Sequence, residues 1–162
     1  MGGLLTASAL TARDFAPFGE VVEIPGDGGR SANACTARRF DHLAQLDLTG
    51  SGGVPTVSIF RARPTPLPLR ARRLERHPLS SQLFMPLSAG PFLVVVAQEL
   101  RAESLRAFVT DGRQGVNYRR GVWHHPLLAL DGEGDFLMVG RHGPGRDCEV
   151  EDLPEEVIVS LA

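Results

Sequence analysis

The sequence predicts an all-β fold in one domain spanning residues 1–162, and three observations carry that prediction. Thirty of the 162 residues are Gly or Pro, about 19% against a usual sum of roughly 12%. The excess is spread along the chain, as many short elements joined by tight turns require. Runs rich in β-branched and aromatic residues recur at roughly ten-residue spacing in the second half, while helix signals are confined to the first. A chain that is 43% hydrophobic and 22% charged can build an ordinary globular core.

The elements follow in order. Thr11-Ala12-Arg13-Asp14 has the spacing of a capping box, and Pro17 limits the helix it opens to a turn or two. Residues 21–24 read as a first short strand, 25–34 as a loop, and 39–48 as a short helix or an irregular packed segment. Gly50–Gly53 is a break. Residues 56–61 form a strand closed off by Pro64, Pro66 and Pro68, and 69–77 alternate weakly. The unbroken apolar run 92–97 fits a strand buried on both faces. Strands at 105–109, 115–119, 127–130 and 136–139 follow, with a last one at 157–161. Such spacing suggests a small barrel or sandwich.

Composition excludes several functions. All 17 basic residues are Arg, so Schiff-base lyases, pyridoxal-phosphate enzymes and Walker-type nucleotide sites lack their Lys. A net charge of −2 and a pI near 6.2 give no footprint for nucleic acid. Cys35 and Cys148 stand apart from any C-x-x-C pair and read as buried or idle thiols in a reducing compartment. The first residues lack a basic region and a sustained apolar run, and no stretch approaches the ~20 residues of a membrane span. The expected setting is cytoplasmic, without a membrane.

Two clusters carry chemistry. The run 74–82 holds Glu75, His77 and Gln82; residues two apart share a strand face, so Glu75 and His77 can point together into a barrel. The run 112–126 concentrates the only Tyr (Tyr118), the only Trp (Trp123) and His124 and His125, with Gly121 set for a turn just before them. Glu75-x-His77-x4-Gln82 resembles the first motif of the cupins, with Glu for the leading His and Gln for the Glu. Arg119-Arg-Gly121-Val-Trp-His124 resembles the second, with Arg for Pro.

The resemblance narrows to the ureidoglycolate lyases within that superfamily. It rests on FAPFGEVVE at 15–23, LERHPLSSQLF at 74–84, GVNYRRGVWHHPLLAL at 115–130 and GPGRDCE at 143–149, covering nearly the whole chain. Departures are Asp41-His42-Leu43 where the family often has His-Asp-Leu, Arg119 where it often has His, and Gly140-Arg141 where it often has Asp-Arg. The resemblance implies a cupin-like β-barrel, a double-stranded jelly roll with one or two short N-terminal helices, usually a homodimer. It implies cleavage of ureidoglycolate to glyoxylate and urea in purine and allantoin breakdown.

That reaction takes a hydroxyl proton, supplies a proton to the departing urea nitrogen and holds a carboxylate. Imidazoles suit both transfers, so the expected catalytic residues are His77, His124 and Glu75. Arg61 is the expected carboxylate clamp, since it shares a strand face with Val57 and Ile59. Gln82, Asn117 and Tyr118 complete the expected substrate contacts. Glu75, His77 and His124 would also supply three ligands to a divalent metal (Ni, Zn or Mn), with Gln82 a weak fourth. With a metal, these residues hold it; without one, His77 or His124 is the base and Glu75 orients it.

Blander readings stand beside these. His77 can be a satisfied barrel histidine, His125 should face away from His124, and Arg61 can pair with an acidic side chain at the rim. Trp123 and Tyr118 read as packing, though the Tyr118 hydroxyl can reach the cavity, and Arg70, Arg72 and Arg73 read as a solvated strand face. Two rival functions remain: a non-catalytic barrel that senses a small carboxylate, and a cupin enzyme acting on another small hydroxy acid.

Overall fold

A computed structural model describes residues 3–88 and 90–162. Met1 and Gly2, where the N-terminal reading began, lie outside them. In chain order the elements are β1 (Gly3–Ala9), α1 (Ala12–Phe15), β2 (Gly19–Val22), β3 (Arg30–Ala32), β4 (Ala37–Arg39), β5 (Val54–Ala62), β6 (Leu69–Arg76) and β7 (Gln82–Pro86). There follow β8 (Phe92–Ala97), β9 (Arg106–Val109), β10 (Gly115–Tyr118), β11 (Trp123–His124), β12 (Leu128–Ala129), β13 (Gly134–His142) and β14 (Glu149–Leu161).

The expected all-β barrel is present, built as two sheets. The first closes on itself in the order β11–β6–β14–β1–β9–β8, because β11 pairs with both β6 and β8. Closure removes the exposed edges that such a sheet would otherwise present. The second is β2–β10–β7–β13–β5, with antiparallel pairing throughout. β3 and β4 form a separate hairpin.

These sheets enclose two cores, and β8 is the wall between them. All six of its residues are buried. Leu93, Val95 and Ala97 point into the closed ring with Ala71, Leu74, Trp123 and Val159. Phe92, Val94 and Val96 point the other way, toward the five-stranded sheet, against Phe84, Val116, Tyr118 and Phe136. The two-sided apolar run is thus a shared partition, as its lack of alternation requires.

Helix α1 starts as its sequence dictates: the Thr11 hydroxyl accepts from the Asp14 backbone N–H at 3.1 Å. It is the only α-helix among the described residues, and its Phe15 plugs one end of the second core against Phe18, Phe108 and Tyr118. The segment 40–48 forms no helix; it runs as irregular chain with Leu48 buried. In β14 the pairing with β6 breaks between Asp152 and Val157, where Pro154 has no N–H to give a ladder. Strands β1, β3, β4, β7 and β11 lie where the sequence signalled none, β3 within the expected loop 25–34.

Candidate active site

His77 and His124 reach one place by different routes. β6 presents Leu74 to the closed ring, so its neighbour Glu75 faces outward, toward the five-stranded sheet. His77 follows directly on the end of β6. The chain returns through β10 and turns at Gly121, whose φ of +75° suits a residue without Cβ. The Gly121 N–H donates to the His77 carbonyl at 2.9 Å, tying the two stretches. His124 then pairs in register with Glu75 on one side and Val96 on the other. The site therefore lies between the two sheets, outside the closed ring.

The rings of His77 and His124 are 5.3 Å apart between centroids, and ligating atoms of Glu75, His77 and His124 all lie within 4.8 Å of one another. His124 is 1% exposed. Its Nε2 lies 3.4 Å from Glu75 Oε1, longer than a well-formed hydrogen bond. Tyr118 stacks on His124 at 4.2 Å between centroids and 8° between planes. Gln82 pairs in register with Tyr118 and shares its face.

Hydrogen bonding fixes both imidazoles the same way. His77 Nδ1 is 2.6 Å from the Asp147 carbonyl, and His124 Nδ1 is 3.0 Å from the Val122 carbonyl. A carbonyl only accepts, so each Nδ1 carries a proton, and in the neutral ring Nε2 is then the nitrogen with the free lone pair. Both Nε2 atoms and Gln82 Oε1 are buried without a hydrogen-bond partner. Three such orphans in a few strands mark a site that expects something to bind.

The electrostatics are consistent with that geometry. Burial opposes ionisation of Glu75, but a hydrogen bond and charge from His124, with charge from His77 and His125, outweigh it when these rings are protonated and hold the carboxyl below its ordinary range. Burial, with Glu75 second, pushes Tyr118 far above the ordinary phenol value, so its hydroxyl stays protonated. Burial lowers His125, which bonds the Pro126 carbonyl through Nδ1. The donor set fits a divalent cation: two imidazole nitrogens and a carboxylate, with the orphaned Gln82 oxygen nearby in register.

Two expected contacts lie away from the imidazoles. Val57 and Ile59 are 66% and 56% exposed, so the strand face they share with Arg61 looks outward. Arg61 makes a forked pair with Asp135, through Nε at 2.8 Å and Nη2 at 3.0 Å; its charge is answered at the surface. Asn117 alternates with Tyr118 along β10 and so faces away from the imidazoles. Its amide N–H groups donate to Glu20 Oε2 at 2.8 Å and to the Gln45 carbonyl at 3.1 Å. Both cysteines, read as buried or idle, are exposed and free. Trp123 packs in the ring core beneath the Arg76 guanidinium, 4.5 Å from its centroid. Arg70, Arg72 and Arg73 pair with Glu156 and Asp152 on an exposed face. Asp147, which orients His77, carried no sequence signal beyond its place in the 143–149 motif.

Known proteins match most of this chain. The family profile described as ureidoglycolate lyase matches residues 3–160. A ureidoglycolate lyase of Burkholderia mallei is 48% identical over 155 residues, covering 94% of this chain and 91% of its own. One of Azotobacter vinelandii is 47% identical over 156 residues, covering 94% of each. Among solved structures, a Mycobacterium tuberculosis rmlC epimerase aligns with a TM-score of 0.41 and 15% identity, over 72% of this chain and 63% of that one.

Proposed function

Since the chain belongs to the ureidoglycolate lyase family, we propose that it is a single-domain enzyme cleaving ureidoglycolate to glyoxylate and urea at Glu75, His77 and His124. The observation that supports this site is the pair of buried Nε2 atoms without hydrogen-bond partners, on two imidazoles that cluster with Glu75.

The chemistry needs no net proton. Removing the hydroxyl proton lets the carbinol oxygen become the aldehyde of glyoxylate, and the C–N bonding pair leaves with the nitrogen. That nitrogen then takes one proton to become urea. A neutral imidazole with its lone pair on Nε2 accepts the first proton, and its conjugate acid returns it to nitrogen. Glu75 faces the imidazolium so formed and stabilises it. Gln82 Oε1 is an acceptor suited to the ureido N–H groups, and the protonated Tyr118 hydroxyl a donor suited to a substrate oxygen. The second core's apolar lining around them limits water.

The same three residues would hold a divalent ion of the Ni, Zn or Mn class, which when bound supplies Lewis-acid polarisation of the substrate's hydroxyl and carboxylate oxygens. Use of the Nε2 atoms as ligands and as bases exclude one another, and chelation separates them. Glyoxylate and urea released in equal amounts by purified protein support the lyase. Ammonia and carbon dioxide instead, or no turnover of ureidoglycolate, would refute it. Activity lost to a chelator and restored by one ion assigns the Nε2 atoms as ligands; unchanged activity assigns them as bases.

The proposed assembly is a homodimer joined through the outer face of the five-stranded sheet. There Val57 opposes Val139 and Ile59 opposes Leu137, an apolar row that water would otherwise meet. The proposed location is the cytoplasm, where two free, exposed thiols stay reduced. No helix among the described residues is long and apolar enough to cross a membrane.

A further inference from the structure

We propose that Asp147 is a positioning residue that keeps the proton of His77 on Nδ1, an inference that rests on His77 Nε2 being a working atom of the site. His77 lies beyond the last residue of β6, in the connection to β7, so no strand ladder holds it; its backbone is tied by the Gly121 N–H, and its ring is left to Asp147. Asp147 grips that connection at three points. Its backbone carbonyl accepts from His77 Nδ1 at 2.6 Å. Its carboxylate accepts from the Leu79 N–H at 2.7 Å through Oδ1 and from the Ser80 hydroxyl at 2.6 Å through Oδ2.

The two kinds of contact have different roles. The carbonyl sets the tautomer, because a neutral imidazole has one N–H and the acceptor beside Nδ1 claims it. The carboxylate holds that carbonyl in place, by tying Asp147 to residues two and three positions beyond His77. Ser80 is 3% exposed, so its bond to Asp147 is shielded from competing water. Loss of the carboxylate frees the connection, and the His77 proton can then move to Nε2, the atom the site needs bare.

Residue chemistry predicts which substitutions matter. In Asp147→Asn, Oδ1 still accepts from the Leu79 N–H, and the amide N–H can donate to the Ser80 oxygen, since a hydroxyl both gives and takes. In Asp147→Ala both bonds vanish. The grip, and not the negative charge, is what positions His77.

Nitrogen-15 NMR of the His77 ring in metal-free protein reads the tautomer directly. Wild type and Asp147→Asn are expected to carry the Nδ1–H signature, and Asp147→Ala a mixture. Calorimetry with zinc chloride is expected to show affinity about 10–100-fold weaker in Asp147→Ala, and kcat to fall by a similar factor with KM little changed. Ser80→Ala, which removes one bond only, should fall between, and it carries the test if Asp147→Ala does not fold. An unchanged tautomer in the folded Ala variants, or an Asn variant as damaged as the Ala one, overturns the proposal. Full activity in His77→Ala would instead sink the reading of the site, while leaving the tautomer result to judge Asp147 by itself.

Discussion

The ring of Tyr118 lies flat on the ring of His124, 4.2 Å between centroids and 8° from parallel. β10 supplies one ring and β11 the other, and the turn between them brings the chain back so that the two overlap. Flat stacking leaves an imidazole little freedom to rotate, and the Val122 carbonyl claims its Nδ1. Together they aim Nε2 at Glu75.

Tyr118→Phe keeps that overlap and should retain the fold and a measurable rate. Tyr118→Ala removes a buried ring, at a cost of about 3–5 kcal/mol by analogy with other aromatic truncations, and releases His124. Denaturant unfolding and urea release measured on both variants check this. A Phe variant as unstable as the Ala variant would contradict it.

His77→Ala and His124→Ala should each lower kcat by about 10²–10⁴-fold, the usual worth of a positioned acid or base. Glu75→Gln keeps the shape of Glu75 but not its charge, and should slow turnover without unfolding the protein. Steady-state kinetics decide; a merely altered KM with kcat intact would remove that residue from the chemical step, and a wild type that binds ureidoglycolate without turning it over would favour the sensor.

Arg61→Ala should leave KM for ureidoglycolate and the melting temperature close to wild type. Its partner Asp135 lies with it at the surface, where an ion pair contributes little. A tenfold rise in KM would return Arg61 to the substrate.

The surface ion pairs set an acid limit to stability. Hydrogen bonds and charge from Arg61, Arg73 and Arg72 hold Asp135, Asp152 and Glu156 below their ordinary values of 3.8, 3.8 and 4.5. A carboxyl lowered by folding stabilises the protein fully above the unfolded value and ceases to do so as pH falls through the folded one. Stability from these groups should therefore be level at neutral pH and decline below about pH 4.5. Added salt should shrink the decline, because the groups are exposed. Chemical denaturation across pH, at low and high salt, measures both.

Ile59→Asp places a charge in the exposed apolar row opposite Leu137. Light scattering should show a dimer for wild type and a monomer for the variant, with secondary structure retained. A monomeric wild type would overturn the proposed assembly.

Much of this molecule is legible along the chain, because many of its signals are local. Thr11 caps a helix that Pro17 stops, the run at 92–97 is apolar without alternation because cores flank it on both sides, and turn residues punctuate the strands. Elements held only by distant partners left no such trace. β1 (Gly3–Ala9) buries a single residue, and it is a strand because β14 and β9 supply its hydrogen bonds. β11 has two residues, too few to form a pattern.

By itself the sequence determined which residue types could do the chemistry, naming Glu75, His77, Gln82 and His124 from their spacing. Which way each side chain turns was decided only by the folded sheets. Alternation states that Arg61 and its neighbours share a face, and that Asn117 and Tyr118 oppose, but either face of a strand can meet a core. Pairing across the sheets settles it, turning Arg61 and Asn117 away and bringing the Asp147 carbonyl to His77. Those contacts join residues far apart in the chain, so no local pattern encodes them.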